Sequence, residues 1–125
     1  MTALAFQSRS ETEPRIVLSV AGPSGRFLPA VFSIDTGSSH TLVDDSLASA
    51  LGYDVEKAAK TPYLTTPAGS VLHYAPCLLH LGATPFFVSI MGGFARLNAN
   101  ILGRDFLHHF HFAWYRQTIW LSIGS

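Results

Sequence analysis

A single mainly-β domain with one or two short helices is the fold this sequence predicts, on three observations. The chain has 125 residues, the length of one ordinary domain. Hydrophobic residues make up 48% and charged residues only 13%, which supplies a packed core and excludes a disordered chain. Short β-branched and aromatic runs recur between Gly- and Pro-containing turns, the pattern of strands joined by tight connections.

The elements follow in order. Residues 1–14 end in Ser-Glu-Thr-Glu-Pro and read as a flexible N-terminal arm, with the domain proper spanning residues 15–125. Arg15–Ala21, rich in Ile and Val, is the first strand; the Gly22-Pro23-Ser24-Gly25 turn returns it as a second strand over residues 26–34. After Asp35–Ser39, Thr41-Leu42-Val43 is a short strand leading into a helix. Asp44 or Asp45 can cap that helix, and Gly52 stands where a left-handed residue ends it. Tyr63–Thr66 and Ser70–Tyr74 flank a Pro67-Ala68-Gly69 hairpin tip, followed by strands at Cys77–Leu81 and Phe86–Met91. Ile101-Leu102 runs into a short helix near residues 103–107, and a hairpin around Arg116-Gln117 closes the chain.

Composition narrows the function classes. Eight basic residues balance eight acidic ones, so no charge footprint for nucleic acid or an anionic membrane exists. Residues 61–95 carry no charged side chain, but prolines interrupt them, and no apolar run approaches the ~20 residues of a spanning helix. The start has no basic stretch ahead of an apolar run, so a soluble chain is expected, cytoplasmic rather than secreted. One cysteine, Cys77, excludes an internal disulfide and reads as a small buried hydrophobe. His108, His109 and His111 have no Cys or Glu at ligand spacing, so they read as surface and packing residues, and neither metal nor cofactor is expected. His40 lies near Ser38 and Ser39, but without a Gly-x-Ser-x-Gly elbow no serine triad follows.

The chemistry concentrates at Asp35-Thr36-Gly37-Ser38. An apolar strand, Val31–Ile34, delivers one carboxylate to a glycine-containing loop, and Thr41-Leu42-Val43 follows, so the loop must lie against a core. Such a carboxylate is partly desolvated, while the hydroxyls of Thr36 and Ser38 can hold its ionised form. Gly37 admits close backbone approach. One carboxylate with two hydroxyls is a poor metal ligand set but suits acid or base work.

This stretch resembles the active-site loop of aspartic proteases, Asp-Thr-Gly-Ser after a hydrophobic strand. The later Ala99-Asn-Ile101-Leu102-Gly103-Arg104-Asp105-Phe106-Leu107 resembles their second element, two hydrophobic residues and a glycine before a helix. With the hairpin, loop, flap-like hairpin and helix in matching order, the chain resembles the single-domain, retropepsin-like group over almost its whole length.

That resemblance implies a closed β barrel acting as a C2 homodimer, with Asp35 from each subunit at the axis, because one loop supplies half a site. It implies an aspartic endopeptidase in which two carboxylates share a proton: the charged one activates water and the other donates to the scissile carbonyl. Thr36 would interlock the two loops, and Gly37 would offer its backbone to the peptide substrate. Ser38 would bond the Asp35 carboxylate, with activity favoured on the acidic side. Thr65, Thr66, Pro67, Ala68, Gly69 and Ser70 would form a flap over the peptide. Ile101, Leu102, Gly103 and Arg104 would support the site. Ser39 stands where retroviral enzymes carry an acidic residue, so Arg104 is expected to pair with Asp44, Asp45, Asp105 or the dimer neighbour. The uncharged 61–95 stretch suggests apolar substrates, and Trp114, Tyr115 and Trp120 read as core or dimer interface. The competing reading is a non-catalytic or latent dimer of the same fold that binds peptides or organises a larger protein; a third is a protease active only within a longer precursor.

Overall fold

The computed structural model describes residues 2–10, 12–64 and 71–123. Strands β2 (Arg15–Ala21) and β3 (Leu28–Ile34) form an antiparallel hairpin in which Val17 faces Val31. β3 runs parallel to β8 (Asn100–Leu102), which abuts the short β4 (Leu42–Asp44). β4 is parallel to β7 (Phe86–Ala95), and β7 is antiparallel to β6 (Val71–Ala83). β6 then pairs back onto β2 through Ser19–Ala21, which closes a six-stranded barrel. β5 (Thr61–Leu64) lies outside the ring, antiparallel to the first residues of β6.

Alternation explains the barrel. In β2, Ile16, Leu18 and Val20 point inward and are buried, while Arg15 and Val17 face out. Phe32, Leu79, Leu81, Phe94, Leu102 and Phe106 complete one continuous core. Each such side chain contributes about 1.5–3 kcal/mol on burial. Helix α1 (Asp45–Ala50) begins at Asp44, whose carboxylate accepts from the Ser46 N–H at 3.1 Å. Gly52, at φ +103°, ends it in the left-handed region, as the sequence predicts.

A second sheet of three strands has the order β1 (Thr2–Gln7), β10 (Thr118–Ile123), β9 (His111–Tyr115). The flexible arm expected over residues 1–14 is therefore corrected: residues 2–7 pair antiparallel with β10. Leu4 and Phe6 stand opposite the buried Leu121 and Ile119, so their alternation completes an inward face that only the far end of the chain supplies. Tyr115 and Trp120 lie on the opposite face of this sheet, and Trp114 stands opposite Ile119 on the inward face; all three are exposed, so they are not core within one chain.

The two strands expected at 70–74 and 77–81 are one continuous strand that passes through Pro76. Pro76 is tolerated because it falls between the end of β5 pairing at Tyr74 and the start of β2 pairing at His80, where one side of β6 has no ladder partner.

Candidate active site

Asp35 is the first residue beyond β3. Its N–H donates to the Leu102 carbonyl at 2.9 Å, extending the β3–β8 ladder by one rung, so the barrel itself sets where the loop begins. The turn then closes on itself, with the Ser38 N–H donating to the Asp35 carbonyl at 3.1 Å. The Gly37 N–H donates to Asp35 Oδ1 at 2.9 Å and orients the carboxylate. Asp35, Thr36 and Gly37 are exposed. Asp35 borders a cleft of about 270 Å³ lined also by Gly37, Ser38, Leu42, Tyr63, Leu97 and Ile101. The cleft combines one acidic group with mixed walls, polar at Ser38 and Tyr63 and apolar at Leu42, Leu97 and Ile101.

The back of the loop is held by the segment that follows β8, including the short helix α2 (Arg104–Leu107). The Arg104 N–H donates to the Ser38 carbonyl at 2.8 Å, and its guanidinium Nη1 donates to the Thr36 carbonyl at 2.9 Å. A methyl group on Gly103 would collide with the His40 carbonyl and lie 2.9 Å from the Ser38 carbonyl oxygen, so this contact requires glycine. Thr41 is fully buried between the two segments. Its hydroxyl donates to Asp105 Oδ1 at 2.6 Å and accepts the Gly103 N–H at 3.0 Å, while the Thr41 N–H donates to Asp105 Oδ2 at 2.9 Å.

Tyr63, on β5, reaches the loop from the flap-like hairpin. Its hydroxyl accepts the Ser39 N–H at 3.1 Å and lies 3.2 Å from Ser38 Oγ and 3.1 Å from Ser39 Oγ. Burial pushes its hydroxyl up, but the donors around it, among them the Ser39 side chain and the Ser39 and His40 backbone, outweigh burial and hold it below the ordinary tyrosine value.

The structure thus brings Asp35, Gly37, Ser38 and Ile101 to one cleft, with Thr36, Leu102, Gly103 and Arg104 directly behind or beside them. The expected flap residues Thr65, Thr66, Pro67, Ala68, Gly69 and Ser70 lie outside the described residues. Two expectations are corrected. The Ser38 hydroxyl does not bond the Asp35 carboxylate; it donates to the His40 carbonyl, two residues on, at 2.7 Å. Among the described residues Arg104 pairs with no carboxylate of its own chain: its guanidinium takes the Thr36 carbonyl, Asp105 is occupied by Thr41, Asp44 by Ser46, Leu97 and Asn98, and Asp45 by Lys60. Among the described residues, no group of three His, Cys, Asp or Glu side chains could hold a metal ion, and no helix is long and apolar enough to cross a membrane.

Sequence reasoning missed Tyr63 and the Thr41–Asp105 pair, having offered Asp105 only as a partner for Arg104. Tyr63 was detectable only as a polar aromatic at the base of the hairpin. The Thr41–Asp105 pair, 64 residues apart, has no local signal.

The aspartyl protease family model matches residues 17–78, which include the Asp35 loop and Tyr63. No curated protein matches the chain in sequence. Among solved structures, the chain is similar to a retropepsin-like aspartic protease from Rickettsia conorii, with a TM-score of 0.73 and 22% identity over 98% of this chain and 91% of that one. It is also similar to the EIAV protease in complex with the inhibitor HBY-793, with a TM-score of 0.61 and 17% identity over 80% of this chain and 89% of that one. The fold is therefore retropepsin-like, and the family match supports a peptidase-type function.

Proposed function

We propose that this chain, with its aspartyl-protease sequence pattern and retropepsin-like fold, is an aspartic endopeptidase whose site is completed by a second copy of itself. The observation that carries the reading is the exposed Asp35 carboxylate, oriented by the Gly37 N–H at the edge of a cleft with apolar walls at Leu42, Leu97 and Ile101. A single Asp35 cannot both activate water and protonate the substrate oxygen. Two copies related by a twofold axis would supply both groups, the shared proton being kept because two carboxylates about 3 Å apart cannot both ionise. The charged carboxylate then takes a proton from water as the water attacks the scissile carbonyl, and the other donates to the carbonyl oxygen, without a covalent intermediate.

In this reading the exposed Thr36 meets its counterpart across the axis, and the Gly37 backbone faces the peptide. Residues 65–70, in the segment that joins β5 and β6, are the proposed substrate contacts beyond the cleft. Leu42, Leu97 and Ile101 favour apolar side chains in the bound segment. The exposed Trp114, Tyr115 and Trp120 of the terminal sheet are available to the subunit interface.

A diverse peptide mixture incubated from about pH 3.5 to 7.5 with the protein and with Asp35→Asn tests the reading. The expected result is cleavage beside apolar residues that disappears in the variant, strongest on the acidic side. No cleavage at concentrations where sedimentation shows a dimer would leave a non-catalytic peptide-binding module instead.

A further inference from the structure

We propose that Tyr63 is a positioning residue that locks the Asp35 loop through a closed ring of hydrogen bonds running Ser38, His40, Ser39, Tyr63, Ser38. The kinetic part of this inference rests on the proposed protease activity; the structural part does not.

Proton inventory sets the direction of every bond in the ring. A carbonyl only accepts, so Ser38 Oγ spends its proton on the His40 carbonyl at 2.7 Å. The 3.2 Å contact between Ser38 Oγ and the Tyr63 hydroxyl is then a bond donated by Tyr63. Tyr63 has one proton, so the 3.1 Å contact with Ser39 Oγ is donated by Ser39. Ser39 Oγ has then used its own proton, and its 2.8 Å contact with His40 Nδ1 is donated by His40. Tyr63 ends with one bond donated and two accepted, the second from the Ser39 N–H. The neutral His40 ring must therefore carry its proton on Nδ1.

Ring packing holds these groups in place. The Tyr63 ring meets the His40 ring edge-on at 5.4 Å between centroids, and Tyr74 from β6 packs on both at 5.5 and 5.6 Å. Tyr63 and Tyr74 belong to the two strands that carry the flap-like hairpin, whereas Ser38, Ser39 and His40 belong to the loop after Asp35. The ring thus joins the hairpin base to the catalytic loop three residues from the carboxylate. Its effect on chemistry is one of placement, where small displacements of a reacting group cost large factors in rate.

Tyr63→Phe keeps the ring packing and removes only the hydroxyl. Three readouts on the intact protein test the idea: the 15N signature of the His40 tautomer, hydrogen exchange at the Ser39 amide, and peptide cleavage kinetics. The wild type is expected to show the Nδ1–H form. The variant is expected to lose that preference, exchange the Ser39 amide about tenfold faster, and show kcat about tenfold lower with KM changed by less than about threefold. A wild-type His40 protonated on Nε2, or an unchanged Ser39 exchange rate, overturns the proposal. So does a raised KM with kcat intact, which would make Tyr63 a substrate contact. If Tyr63→Phe does not fold, Ser39→Ala opens the same ring from the loop side, and retention of the wild-type tautomer and kcat there is equally fatal. Should the wild type cleave nothing, the protease reading fails while tautomer and exchange still decide the ring.

Discussion

Thr41→Val replaces a fully buried hydroxyl with a methyl group of nearly the same shape, so almost all of its effect is polar. The Thr41 hydroxyl donates to the Asp105 carboxylate at 2.6 Å; a bond to a charged group is worth about 1.5–3 kcal/mol. It also accepts the Gly103 N–H at 3.0 Å, and leaving that buried donor without a partner costs about 1–3 kcal/mol. The Thr41 N–H still reaches Asp105 in the variant, so the summed loss is about 3–5 kcal/mol. Thr41→Ser keeps both bonds and loses one buried methyl, at a cost of about 1 kcal/mol. Urea unfolding followed by circular dichroism, at one fixed protein concentration, separates the two. With a slope of about 2 kcal/mol per molar, the valine variant should unfold about 2 M earlier than wild type and the serine variant about 0.5 M earlier. If valine costs no more than serine, the Thr41–Asp105–Gly103 contact does not hold the loop and helix together, and the account of the site's rear wall fails.

Two further outcomes follow from the same geometry. The Asp44 carboxyl is held far below the ordinary value of 3.8: the Ser46 hydroxyl has the largest effect, burial opposes it, and backbone donors at Leu97, Asn98 and Ser46 add to the lowering. Its folded form therefore resists protonation more than its unfolded form. The stabilisation is complete above the unfolded value and declines as pH falls below it. Thermal melts from neutral pH downwards should show wild type losing stability in acid more steeply than Asp44→Asn, and parallel curves would refute the assignment. Burial pushes the Cys77 thiol up to about 11, only partly opposed by a hydrogen bond with Tyr53. Native protein at mildly alkaline pH should therefore react with a thiol reagent at least about a hundredfold more slowly than denatured protein, and comparable rates would show that Cys77 is reachable.

What the sequence determined by itself is local. Ile and Val alternation marks β2, the Asp44–Gly52 punctuation marks α1, and Asp35-Thr36-Gly37 marks the chemistry, because each signal depends on neighbours a few residues away. The pairing of distant segments was decided only by the tertiary structure. Residues 2–7 look like an arm until β10 offers Ile119 and Leu121 for Leu4 and Phe6 to join. Pro76 looks like a strand break until β5 and β2 leave a gap beside it. Ser38 was assigned to Asp35 on proximity in sequence, yet a hydroxyl bonds what the turn aims it at, and here that is the His40 carbonyl. Arg104, Thr41 and Tyr63 found their partners 68, 64 and 24 residues away. Hydrogen bonds need atomic placement, and atomic placement is a property of the closed barrel, whereas the hydrophobic period and turn chemistry are properties of the chain.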